Sequence, residues 1–163
     1  MSDIVTAPPR PKGLLKWFFL LPRYLYRWHL GWLLGQRFLM ITHAGRKTGR
    51  KRQTVVEAVN YDPKTQACLA VADYGEQTDW YRNIQDHPAL EVQVGHRRYI
   101  SQQHFLSSEE LLTLLQGYEH RHPHGLRLLL RTMGYPYDGS PEGLRAVAQV
   151  IRGVEFRPQE GRK

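Results

Sequence analysis

The chain has 163 residues, 41% of them hydrophobic and 23% charged, with a formal net charge of +8 and a single cysteine. That length suits one domain with a sizeable core, and one cysteine excludes both an internal disulfide and a cysteine-based metal site. The charge is uneven: residues 1–56 hold eleven Lys/Arg against one acid, Asp3, while the remainder is slightly acidic, so the basic field belongs to the N-terminal third and calls for an anionic partner such as a phosphorylated cofactor, an acidic membrane surface or nucleic acid.

Residues 1–12 contain three prolines and no apolar period, and read as a mobile arm ahead of a single domain over 13–163. From residue 13 to 34 the pattern turns helical. Leu14, Trp17, Phe18, Leu21, Leu25, Trp28 and Trp32 form one apolar stripe, with Lys16, Arg23 and Arg27 on another face and Pro22 as a kink. Such a helix can cover the core, or lie on an anionic membrane with its tryptophans at the interface. The apolar run at 14–21 is broken by Lys16 and has no small-residue cleavage site after it, so neither a secretory signal nor a spanning helix is expected. The expected location is the cytoplasm, with membrane association at its inner face as the alternative.

Strand-like runs follow at 37–43, 53–61, 66–72, 90–94 and 97–105, separated by tight turn signals such as Asp62-Pro63-Lys64 and Gly95-His96. Strands this closely spaced favour an antiparallel sheet or small barrel over βαβ units. The class is therefore α+β, mainly β. A short helix should start at Thr78 or Asp79, either of which can cap it, and end before Pro88. Ser107-Ser108-Glu109-Glu110 has the capping-box pattern of a second helix. Further helices are expected over 125–133 and 140–152, and a closing strand over 154–156. Cys68 lies in an apolar run and reads as a buried structural thiol.

The first strand pair encloses the chain's most pointed motif, Ala44-Gly45-Arg46-Lys47-Thr48-Gly49-Arg50-Lys51-Arg52. Five cations within eight residues repel one another unless an anion sits among them. Gly45 and Gly49 allow backbone N–H groups to approach a ligand, and Thr48 adds a hydroxyl. The motif is not a P-loop, because three residues rather than four separate the glycines and no Lys-Ser/Thr pair follows. The second motif is Asp79-Trp80-Tyr81-Arg82-Asn83, where Trp80 and Asn83 share a helix face. It reads either as a capped helix with a buried Trp, or as a helix closing over a pocket beside the Tyr74-Gly75 loop. His120, His122 and His124 sit at a helix end without a carboxylate or cysteine nearby, so no metal site is expected. Tyr118, Tyr135 and Tyr137 could roof a flat ring or simply pack. No Gly-x-Ser-x-Gly elbow is present.

Taken in order, residues 42–50, then residues 79–84, then His87-Pro88 resemble the deazaflavin (coenzyme F420)-dependent nitroreductase and quinone reductase family. The resemblance implies an antiparallel split β-barrel with an N-terminal amphipathic helix and C-terminal helices. It also implies coenzyme F420, with a flat ring, a phosphodiester and a glutamate tail. Carried over by position, Arg46, Lys47, Thr48 and Arg50 would hold phosphate and tail, with Gly45 and Gly49 shaping the turn. Arg52, Gln53 and Thr54 would run along the ring, and Tyr74, Gly75 and Trp80 would frame its other side. The implied activity is hydride transfer to a quinone, nitro compound or similar flat small-molecule acceptor, with Tyr74 or Tyr135 as hydrogen-bond donor to it. The chain departs from the family at Asp73-Tyr74-Gly75-Glu76, where many members have Ser-x-Gly-Gly. The alternatives are a non-catalytic binder of FMN, haem or fatty acid on the same barrel and, less favoured, a nucleic-acid-binding module working through the basic third. The oligomeric state is not legible.

Overall fold

The computed structural model describes Tyr24, Leu25, Trp28 and residues 35–159. The expected arm at 1–12 lies outside the described residues, as does the segment 13–34 apart from those three positions. Among the described residues, no helix is long and apolar enough to cross a membrane. Their contacts divide into two compact units, one of strands (35–71, 79–104, 154–159) and one of helices (72–78, 105–153).

Seven strands form one sheet: β1 (Phe38–Ala44), β2 (Lys51–Tyr61), β3 (Cys68–Ala72), β4 (Glu91–Val94), β5 (Arg97–Tyr99), β6 (Ser101–Phe105) and β7 (Arg152–Pro158). Their order is β5-β4-β1-β2-β3-β7-β6. The result is the expected antiparallel split barrel, nearly closed. β1 pairs with β2 on one side and β4 on the other, and Leu39 through His43 are all buried. A strand covered on both faces reads as a near-continuous apolar run, as Phe38–Ala44 does until Thr42 and His43. β2 serves two partners. Residues 51–57 pair with β1, the register shifts between Ala58 and Asn60, and the rest pairs with β3. A bulge of this kind bends a strand and increases its twist, which helps a flat sheet curl into a barrel.

The run expected as one strand over 97–105 is two. It breaks at Ile100, which is exposed, so β5 stays on β4 while β6 joins β7 at the other end of the order. Period-two alternation cannot reveal this, because the break costs only one residue. The strand expected at 66–72 begins at Cys68. Gln66 takes φ +59° and its amide bonds to the Asp62 carbonyl, so it finishes the turn. Cys68 is buried, and its thiol lies 3.3 Å from the Tyr99 hydroxyl.

One helix, α1 (Asp79–Asp86), belongs to the strand unit. It presents Trp80, Tyr81, Asn83 and Ile84 inward, the i, i+3, i+4 pattern of a helix lying on a core. Its C-terminal end is held by Gln103, whose side chain donates to the Ile84 carbonyl (2.7 Å) and accepts from the Ala89 amide (3.0 Å).

The helical unit contains a 3₁₀ turn (Gly75–Gln77) and three helices, α2 (Ser108–Arg121), α3 (Pro123–Thr132) and α4 (Pro141–Val150). The capping box on α2 forms as its sequence predicts, with Ser107 and Glu110 bonding reciprocally. α3 begins two residues before the expected 125, at Pro123. Proline at N1 needs no amide partner, and His122 serves as both the last cap of α2 and the first of α3. α4 is capped by Ser140 and stops at Val150 rather than 152, because Ile151 turns extended to feed β7. Leu111, Leu115, Leu126, Leu130, Leu144 and Val147 are all buried at 1% exposure or less, each burial stabilising the unit by about 1.5–3 kcal/mol.

Candidate cofactor site

The β1–β2 hairpin closes when the Gly45 amide donates to the Arg50 carbonyl at 2.9 Å. Gly49 has φ +65°, a conformation in which a Cβ is strained, and its amide returns to the Gly45 carbonyl at 2.7 Å. A Cβ on Gly45 would stand 3.1 Å from both Arg52 Nε and Thr48 Oγ1, so these side chains would have to give way by a few tenths of an ångström. Lys47, Thr48 and Arg50 are exposed at the tip, and Lys51 and Arg52 continue the positive surface into β2. Among the described residues, no carboxylate pairs with Lys47, Arg50, Lys51 or Arg52.

Arg46 is different. Its guanidinium reaches Asp79 Oδ1 at 3.3 Å and Asn83 Oδ1 at 3.2 Å, and its backbone amide donates to the same Asn83 oxygen at 3.1 Å. The first cation of the motif therefore pins the hairpin to α1. Asp79 is drawn into this ion pair. Thr78, the other expected cap, has a buried hydroxyl with no hydrogen-bond partner among the described residues.

Behind this junction, Asn83 Nδ2 lies 3.1 Å from His43 Nδ1, and His43 Nε2 lies 3.0 Å from Thr54 Oγ1. His43 sits opposite Arg52 in the ladder, and Thr54 opposite Ile41, so all four share one face and His43 reaches Thr54 diagonally. His43 is only 2% exposed. Burial lowers its pKa below the usual histidine value, and the positive charge of Arg52 adds to the effect, against opposing contributions from the Ala44 backbone and Asp79.

A cleft of about 600 Å³ opens here, within the range of small-molecule sites. Lys51, Arg52, Gln53 and Thr54 form one side, Asp79, Trp80 and Asn83 the other, with His43 between them. Trp80 is buried and meets Tyr81 edge-to-face at 6.0 Å. The site thus joins a planar aromatic wall, a hydroxyl and an amide to a run of unpaired cations.

A sequence-family model described as F420H(2)-dependent quinone reductase matches residues 29–124. The chain belongs to that family. The F420H(2)-dependent quinone reductase match spans both hairpin and α1, and the cofactor of the family is reduced F420. No curated protein matches the chain. Among solved structures, one described as an F420-H2 dependent reductase is 20% identical, covering 75% of this chain and 95% of its own with a TM-score of 0.44. A domain-swapped dimer is 17% identical, covering 88% and 99% with a TM-score of 0.44. An FMN-binding protein related to pyridoxamine 5'-phosphate oxidase, from Nostoc punctiforme PCC 73102, is 18% identical, covering 90% and 82% with a TM-score of 0.47.

The residues expected from sequence fall into three groups. Arg52, Gln53, Thr54 and Trp80 line the cleft. Gly45, Arg46, Lys47, Thr48, Gly49 and Arg50 form the hairpin beside Lys51, itself a cleft residue. Tyr74, Gly75 and Tyr135 lie in the helical unit. There Tyr135 is fully buried and its hydroxyl donates to the Asp73 carbonyl, while Tyr137 donates to Glu119 at 2.5 Å and Tyr118 packs against His122. His120, His122 and His124 are exposed, and among the described residues no His/Cys/Asp/Glu group could hold a metal. Sequence reasoning missed His43. Its signal was available: His43 continues the Leu39, Ile41 series, a titratable side chain on an otherwise apolar face.

Proposed function

We propose that this cleft holds the F420 ring between β2 and Trp80, with the phosphate and glutamate tail on the hairpin, and that the chain reduces a quinone or nitro compound. The observation that carries the reading is that Lys51 and Arg52 line the cleft and, with Lys47 and Arg50 on the adjoining hairpin, lack carboxylate partners among the described residues. Clustered like charges of this kind are destabilising until an anion neutralises them. A polyanionic tail does so, and fits the residues present. When bound, the cofactor supplies the hydride chemistry.

The chain's own residues bind, orient and desolvate. Lys47, Thr48 and Arg50 offer charge-assisted and hydroxyl donors to phosphate or carboxylate oxygens. Gln53 and Thr54 present amide and hydroxyl groups to ring heteroatoms, and Trp80 offers a flat face. Arg46 holds the hairpin in place for them. Within the helical unit, Tyr135 holds the loop that carries Tyr74 and Gly75 through its bond to Asp73. The aromatic basic segment 13–34 would suit an acceptor dissolved in a lipid bilayer.

The test is parallel titration of the purified protein with F420, FMN and haem, followed by oxidation of reduced F420 with a quinone and a nitroaromatic. Saturable F420 binding and turnover with either acceptor is expected. Binding of FMN or haem alone would replace this reading with a non-catalytic or flavin-dependent one.

A further inference from the structure

We propose that His43, held as the neutral tautomer protonated on Nε2, is a positioning residue that fixes the Thr54 hydroxyl as a hydrogen-bond donor into the cleft. The argument is one of donors and acceptors. The Arg46 amide and guanidinium can only donate, and both point at one Asn83 side-chain atom, so that atom is the oxygen. The Asn83 –NH₂ therefore faces His43 Nδ1. An amide nitrogen only donates, so Nδ1 must present its lone pair. In a neutral imidazole the proton is then on Nε2, which donates to Thr54 Oγ1. Thr54 is filled as an acceptor on that side and has no other side-chain bond among the described residues. Its own O–H is left for whatever occupies the cleft it lines. This rests on the proposed cofactor reading, in which an oxygen or nitrogen of the bound F420 would accept that hydrogen bond.

The same relay carries a pH dependence. A second proton on His43 would set Nδ1–H against the Asn83 –NH₂. Turning the amide over would place –NH₂ against both Arg46 donors and leave Asp79 as the remaining bond from Arg46 to α1. The charged groups that act on His43 are Arg52 on β2 and Asp79 on α1; Arg46 on the hairpin meets it through Asn83, and Lys51 on β2 lines the same cleft. On β4, Glu91 lies opposite the adjacent Thr42, and Val92 and Val94 are apolar. Burial first, and then the Arg52 charge, favour the neutral ring against the Ala44 backbone and Asp79.

Two measurements test this. Nitrogen-detected NMR of the ligand-free protein at about pH 8 should show His43 Nε2 protonated and Nδ1 bare. The opposite tautomer overturns the proposal. Calorimetric titration with F420 should show Thr54→Val binding about tenfold more weakly than wild type, with Thr54→Ser close to it. Wild-type affinity should fall on acidification to below the usual histidine range. His43→Gln, whose amide can accept from Asn83 and donate to Thr54, should retain affinity and lose the acid-dependent fall. Wild-type binding that Thr54→Val leaves unchanged, or a His43→Gln profile parallel to wild type, would sink the relay while leaving the cofactor reading intact. A wild-type protein that binds no F420 at about pH 8 removes both.

Discussion

The side-chain oxygen of Asn83 accepts two hydrogen bonds from Arg46, one from its backbone amide at 3.1 Å and one from its guanidinium at 3.2 Å. A single buried atom on α1 thereby fixes both the main chain and the side chain of the hairpin's first cation. Asn83→Ala leaves the Arg46 amide without an acceptor and its guanidinium with Asp79 alone. A loss of about 1–3 kcal/mol is expected, lowering Tm by several degrees. A double-mutant cycle with Arg46→Ala should show coupling, whereas Arg82→Ala, exposed on the same helix, should change little. Additivity of Asn83→Ala and Arg46→Ala in denaturant unfolding would contradict the junction.

Lys47 and Arg46 should separate in behaviour although they are neighbours. Lys47 is exposed and has no carboxylate partner among the described residues, so Lys47→Ala should weaken F420 binding about 10- to 100-fold without shifting Tm. Arg46→Ala should change both Tm and Kd. Raising the salt should weaken wild-type binding more than that of Lys47→Ala, since the variant has lost one screened attraction.

Gly75 and Gly49 both have positive φ, +55° and +65°, yet they should not tolerate alanine equally. A Cβ on Gly49 meets nothing, while one on Gly75 runs into the Val150 carbonyl oxygen at the end of α4. Gly49→Ala should cost about 1–2 kcal/mol from the left-handed conformation alone. Gly75→Ala should cost distinctly more, because backbone must move. Equal losses for the two in urea unfolding would refute the contact.

Tyr135 is buried with its hydroxyl on the Asp73 carbonyl, and burial, followed by the proximity of Asp73 and Tyr74, pushes its pKa up to about 12. A phenol whose folded pKa is raised stabilises the fold fully below its unfolded value and loses that contribution as pH rises through the folded value. Stability assigned to Tyr135 should therefore persist to about pH 10 and fall between there and about pH 12. Tyr135→Phe should flatten that part of the profile and lower stability by about 1 kcal/mol at neutral pH.

Cys68 should resist chemical modification. Burial raises its thiol to about 11, so little thiolate exists at neutral pH. Labelling by a disulfide reagent should be slow in the native protein and rapid in denaturant.

Much of this was legible from the sequence because local signals agreed with one another. Ser107 with Glu110, and Ser140 with Pro141, mark helix starts that need no tertiary information. The cationic hairpin was legible because Gly45 and Gly49 flank a composition that no ordinary turn requires. Two features resisted. The break at Ile100 depends on which strands β5 and β6 choose as partners, a long-range matter. The role of Arg46 depends on Asn83, thirty-seven positions away, and a sequence read alone assigns every cation of a cluster to the same anion. His43 stood out on an apolar strand face, but only the distances to Asn83 and Thr54 show that it bridges the two.

The attachment of the Arg46 amide to α1 also has a kinetic signature. Amides at hairpin tips ordinarily trade their protons with solvent quickly, because nothing shelters them. This one is bonded to a helix side chain rather than across its own ladder. Its deuterium uptake should therefore keep pace with the unravelling of the helix, making one proton at the edge of the sheet a clock for motion elsewhere.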